Sequence, residues 1–104
     1  MPKQKQNQEK IHEPVLLSQV LEVLNPQSGD TYLDLTAGYG GHASEIVSIT
    51  KASATLVDRD PSAVEALETA FDTEDVSIMH QDFLSASTSL VELQKTYDII
   101  LADL

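Results

Sequence analysis

The sequence predicts an α/β fold, a parallel sheet whose strands are joined by helical crossovers, and three observations carry the prediction. Short β-prone or continuously apolar runs alternate four times with segments of helical periodicity. A glycine-rich loop follows the first run directly. Each later run ends on or beside an acidic residue, Asp58, Asp82 and Asp103 in turn. Right-handed crossovers and short connections then make 3-2-1-4 the natural strand order.

The elements follow in chain order. From Glu13 to Leu24, the residues Leu16, Leu17, Val20, Leu21 and Leu24 recur at helical spacing, with Pro14 tolerated in a first turn whose N–H has no partner anyway. Asn25 and Pro26 end that helix. The run Thr31 to Leu35 reads as the first strand, and the loop Thr36, Ala37, Gly38, Tyr39, Gly40, Gly41 leads into a helix from about His42 to Ile49 that turns Ala43, Ile46 and Val47 inward. Ala54 to Val57 is a fully buried second strand, with Asp58 at its carboxyl end. Asp60 and Pro61 are an N-cap and first helical position, and Ala63, Val64, Leu67, Ala70 and Phe71 mark the inner face of the helix they start. Val76 to His80 alternates as a third strand, Ser85 to Leu93 is a short helix, and Tyr97 to Leu101 is the apolar run of a fourth strand. In the order 3-2-1-4 this last strand lies at an edge, although it is as apolar as a strand flanked on both sides. Such an edge invites pairing with more chain, self-association included. The sequence halts at Asp103 and Leu104, where an open sheet of this kind places functional loop residues. The expectation is therefore a truncated domain over residues 11–104, preceded by a tail.

Composition narrows the function classes. The 104 residues are 41% hydrophobic, enough for one small core. Seventeen acidic residues against six Lys and Arg give a net charge of -11, a surface that repels phosphate backbones. Cysteine is absent, which removes disulfides, thiolate metal sites and cysteine nucleophiles and makes a cytoplasmic setting the default expectation. The polar stretch Met1 to Lys10 has no apolar segment and reads as a solvated tail, neither leader nor membrane span.

Ligands of such sheets sit beyond the carboxyl ends of the strands, where strand order reverses. Gly38, Gly40 and Gly41 fall there, and a loop without side chains lets backbone N–H groups approach a ligand. Asp58 lies 20 positions after Gly38, where an acid accepts hydrogen bonds from ribose hydroxyls. Asp60 reads as a helix cap only. Asp82 and Phe83 admit two readings, an adenine partner with an apolar wall or a cap beside a core phenylalanine. Asp34, inside the first strand, needs a partner, because burying a lone carboxylate costs several kcal/mol; loop N–H groups and a ligand ammonium are the candidates. His42, at a helix start, is either a ligand cover or a surface residue. His12, His42 and His80 lie on separate elements without metal-ligand spacing, so no metal is expected and His12 and His80 read as structural.

Taken together, the segments HEPVLL, DLTAGYGGH, VDRDP, QDF and DIILADL resemble, in order and spacing, the bacterial ribosomal RNA small subunit methyltransferase H family. The resemblance covers nearly everything after the tail. It implies a Rossmann-like class I methyltransferase fold, S-adenosyl-L-methionine as cofactor, and as substrate the N4 of a cytidine in small-subunit ribosomal RNA. It implies that Gly40, Gly41 and His42 form the cofactor loop, Asp58 is the ribose acid, Phe83 the adenine neighbour and Asp103 a further cofactor-site residue, with Asp34 and Gly38 in the same motif. Leu35 departs from the family, which usually has a smaller residue there. The family's chains also continue beyond the last acidic strand end, so the acceptor pocket and RNA contacts are expected elsewhere, and no catalytic base is assigned. A nucleotide-binding module of the NAD type and an inactive truncated fragment are the competing readings; GYGGH departs from the GxGxxG of the former.

Overall fold

The computed structural model describes residues 17–103. The expected tail, the first turn of the first helix with His12, and Leu104 lie outside them. Four parallel strands, β1 (Tyr32–Asp34), β2 (Ala54–Asp58), β3 (Val76–His80) and β4 (Ile99–Leu101), form one sheet in the order β3-β2-β1-β4. The helices are α1 (Leu17–Leu24), α2 (Gly41–Thr50), α3 (Pro61–Ala70) and α4 (Phe83–Glu92). β1 is central, paired Tyr32 to Ala54 on one side and Tyr32 to Ile99 on the other. Because all strands run the same way in register, every carboxyl end reaches the same edge of the sheet.

Strand alternation sorts the core into two layers. Tyr32, Leu56 and Ile99 face α2 and α3, where they bury Ala43, Ile46 and Leu67, and Leu21 and Leu24 of α1 pack on the same cluster. Leu33, Leu35 and Val57 face α4 and bury Ala86 and Leu90, with Tyr97 and Met79 beside them. Tyr32, Ile46, Leu56, Leu67 and Val57 are fully buried, each stabilising by roughly 1.5–3 kcal/mol on the transfer scale.

Element ends differ from the sequence expectation where a side chain or a special backbone angle intervenes. β4 begins at Ile99, not Tyr97, because Asp98 turns its carboxylate to the Thr31 N–H at 2.8 Å, while the Tyr97 hydroxyl bonds to Thr55 at 2.8 Å beneath the α4 layer. α4 begins at Phe83, two residues before the expected Ser85, because Asp82 caps it. α2 runs one residue past Ile49 and stops where Lys51 takes a left-handed φ of 49°. β4 is an edge strand, and Ile100 on its α4-facing side is 55% exposed.

Candidate functional site

Three crossover helices start at the carboxyl edge of the sheet, and they start differently. Asp60 caps α3 by accepting from the Ser62 N–H at 2.9 Å, with Pro61 in the first turn. Asp82 caps α4 with both oxygens, accepting from the Ser85 N–H at 2.8 Å and the Ser85 hydroxyl at 2.9 Å. These two bonds, the backbone one foremost, hold the Asp82 carboxyl below the usual carboxylate range. α2 has Gly40 at its N-cap, with φ 90° and no side chain to offer. A Cβ on Gly40 would lie 3.0 Å from the Phe71 ring and 3.2 Å from Leu67, so at this left-handed φ a side chain would also press on the end of α3 and its neighbours would have to give way. A Cβ on Gly38 would meet nothing within 4 Å, and its φ of 58° is what favours glycine there.

Two acids from neighbouring strands shape that loop. Asp58 accepts from the Gly38 N–H at 2.7 Å through Oδ2 and from the Asp60 N–H at 2.9 Å through Oδ1. Asp34, 1% exposed, accepts from the Tyr32 hydroxyl at 2.6 Å and from the Thr36 N–H at 3.0 Å. The loop N–H meets the need for a partner, and Tyr32 adds a second one that residue-by-residue reading passed over. Its signal was available: residues i and i+2 of a strand share a face. Burial raises the Asp34 pKa from its ordinary 3.8; the Tyr32 and Thr36 hydrogen bonds and the nearby His42 act against that rise, and the charge of Asp58 adds to it. Burial, together with the adjacent carboxylate, also raises the Tyr32 hydroxyl well above its ordinary range, so Tyr32 stays the donor. Among the described residues the buried Nε2 of His42 has no hydrogen-bond partner.

Beyond these tips lies a cleft of about 440 Å³, within the usual size range of small-molecule sites. Of the residues singled out in the sequence, Asp58, Asp82, Phe83 and Asp103 line it together, with Leu35 beside them. Asp34, Gly38, Gly40, Gly41 and His42 do not line it; Asp34 ends β1 beneath the adjoining loop, and the other four build that loop and the start of α2. Phe83 is 37% exposed as the first residue of α4 and forms part of the cleft wall, not of the core. Thr36, Arg59 and Leu84 also line the cleft and were not singled out, because an isolated Thr, Arg or Leu carries no periodic or spacing signal. His80 hydrogen-bonds through Nε2 to the Arg59 carbonyl at 3.0 Å. Among the described residues no group of three or more His, Asp or Glu could hold a metal ion, and no helix is long and apolar enough to cross a membrane.

The sheet order and the cleft at its carboxyl edge define a Rossmann-like fold. An RNA methyltransferase from Salinibacter ruber, solved in complex with S-adenosyl-L-homocysteine, shares it with a TM-score of 0.70 at 18% identity, over 88% of this chain and 59% of that one. Residues 9–104 match the MraW methylase family, and the chain belongs to that family. Curated relatives of the chain carry the name ribosomal RNA small subunit methyltransferase H, two of them covering most of it. The one from Syntrophotalea carbinolica is 41% identical over 98 residues, 89% of this chain and 31% of its own length. The one from Gluconobacter oxydans is 36% identical over 94 residues, 89% of this chain and 29% of its own length. The chain thus spans about three tenths of these relatives.

Proposed function

We propose that this chain supplies the S-adenosyl-L-methionine cleft of a cytoplasmic methyltransferase that acts on the N4 of a cytidine in small-subunit ribosomal RNA. The observation that carries the reading is the convergence of Asp58, Asp82, Phe83 and Asp103 in one cleft, since Asp58, Phe83 and Asp103 are three of the positions the family resemblance assigns to the cofactor and the others build the adjoining loop. The donor set fits a nucleoside. Each oxygen of Asp58 accepts one backbone N–H and keeps a second acceptor site for a ribose hydroxyl. Phe83 offers an apolar wall to a base, the partnerless Nε2 of His42 needs a polar neighbour, and the uncapped start of α2 favours a negative group. Asp82 stands as a helix cap that keeps spare acceptor capacity toward the cleft.

When bound, the cofactor brings a sulfonium-activated methyl group for transfer to an amine. The residues of this chain hold and orient it: Asp58 fixes the ribose, Phe83 the base, and Asp103 lies at the β4 tip, where the sheet opens to an acceptor. With a net charge of -11, this span leaves phosphate contacts to Lys and Arg elsewhere in a protein of the relatives' length. The outer edge of β4 is where such further chain, or a second copy, would add.

Calorimetric titration of S-adenosyl-L-homocysteine and of NAD into this chain, with circular dichroism to report folding, tests the reading. The homocysteine ligand should bind and NAD should not. Asp58→Ala should weaken binding by roughly tenfold or more, the scale of hydrogen bonds to a charged group. Preference for NAD would discard the reading.

A further inference from the structure

Thr36 stands where two strand tips meet, and it is bonded to both. Its N–H donates to the buried Asp34 carboxylate at 3.0 Å, which fixes the residue at the end of β1. Its hydroxyl oxygen accepts the N–H of Asp103 at 2.7 Å. The β1–β4 ladder pairs Asp34 with Leu101, and the Leu35 N–H donates to the Leu101 carbonyl at 2.9 Å. Beyond that point the backbone pairing ends, and the link from Asp103 to Thr36 extends it by one side-chain rung. β4 has only three residues and, among the described residues, pairs on one side only, so few backbone bonds hold its tip.

We propose that Thr36 is a positioning residue: it locks the β4 tip to the β1 tip and thereby places the Asp103 carboxylate in the cleft. The consequence for the cofactor rests on the function proposed above; the lock itself does not. The chemistry is specific to a hydroxyl at this position. A valine has nearly the same shape and cannot accept the Asp103 N–H, whereas a serine can. Since Thr36 also lines the cleft, a direct ligand contact by the same hydroxyl is the rival account, and the two differ in how they combine with loss of Asp103.

Amide hydrogen exchange followed by NMR tests the lock on the unliganded chain. The Asp103 amide should exchange slowly in the wild type, faster in Thr36→Val, and slowly again in Thr36→Ser. An Asp103 amide equally protected in Thr36→Val and wild type overturns the proposal, whatever any ligand does. Titration with S-adenosyl-L-homocysteine then tests the consequence. Thr36→Val should weaken binding roughly three- to tenfold, the scale of one neutral hydrogen bond, and Thr36→Ser should restore it. In an Asp103→Ala background the valine should cost nothing further, because Thr36 acts through Asp103. A full and additive loss in that background overturns the positioning role in favour of direct contact. If the wild-type chain takes up no S-adenosyl-L-homocysteine, the proposed function fails, and the exchange data still decide the lock.

Discussion

The start of α2 and the starts of α3 and α4 solve one problem in opposite ways. All three helices begin at the carboxyl edge of the sheet with N–H groups that lack helical partners. α3 and α4 close that end locally, each with the aspartate immediately before the helix. α2 has a glycine there. Its loop is organised from a distance by Asp58 on the next strand and, at its beginning, by the buried Asp34 that ends β1. Local caps make self-sufficient helices, whereas a helix start shaped by acids outside its cap position keeps its N–H groups and the surrounding backbone available to a ligand.

The largest expected effect comes from removing the buried acid at the start of that loop. Asp34→Ala leaves the buried Tyr32 hydroxyl and the Thr36 N–H without an acceptor and should destabilise by about 3 kcal/mol. Urea unfolding measures it; a loss no greater than that of Asp60→Ala, about 1 kcal/mol for a cap, would erase the contrast. Next come the loop glycines. Gly40→Ala combines a left-handed φ with a Cβ pressed on Phe71 and Leu67 and should cost about 2 kcal/mol, against about 1 kcal/mol for Gly38→Ala, where only the φ resists. Equal losses would show that the α3 contact does not constrain the loop.

The acids also differ in pH response. Asp34 has its folded pKa raised by burial, so the stability tied to its protonated form is complete below the ordinary 3.8 and declines as pH rises above it toward the raised value. Asp82 is shifted the other way, so its contribution is present above 3.8 and is lost as pH falls below it. Unfolding followed across pH should show Asp34→Asn removing part of the decline above 3.8, with Asp82→Asn altering only the acid limb. The smallest effect is dynamic. The Gly41 and His42 amides should exchange faster than those of Ser62 and Ser85 in the free chain, and S-adenosyl-L-homocysteine should slow the first pair only.

Much of the fold was legible because it rests on local rules. Periodicity located the helices, Asp60 with Pro61 marked the start of α3, and the alternation of apolar runs gave the parallel order. The four cleft residues Asp58, Asp82, Phe83 and Asp103 were legible from their places at strand ends. Thr36 and Arg59 were not, since what makes them part of the cleft is the meeting of separate strands.

Spacing along the chain fixed which acids and glycines stand at strand tips, because a strand or helix repeats at short intervals that any reader of the residues can count. Whether a given carboxylate faces the cleft or is turned inward depended on the three-dimensional packing. Asp34 is drawn in by a tyrosine two residues earlier and a loop N–H, Asp58 reaches across to Gly38, and Asp82 closes its own helix. Each of these outcomes is a competition among partners within hydrogen-bond reach: Asp34 and Asp82 take theirs from within three residues, whereas the bond from Gly38 to Asp58, 20 positions on, exists only because two successive strands lie side by side.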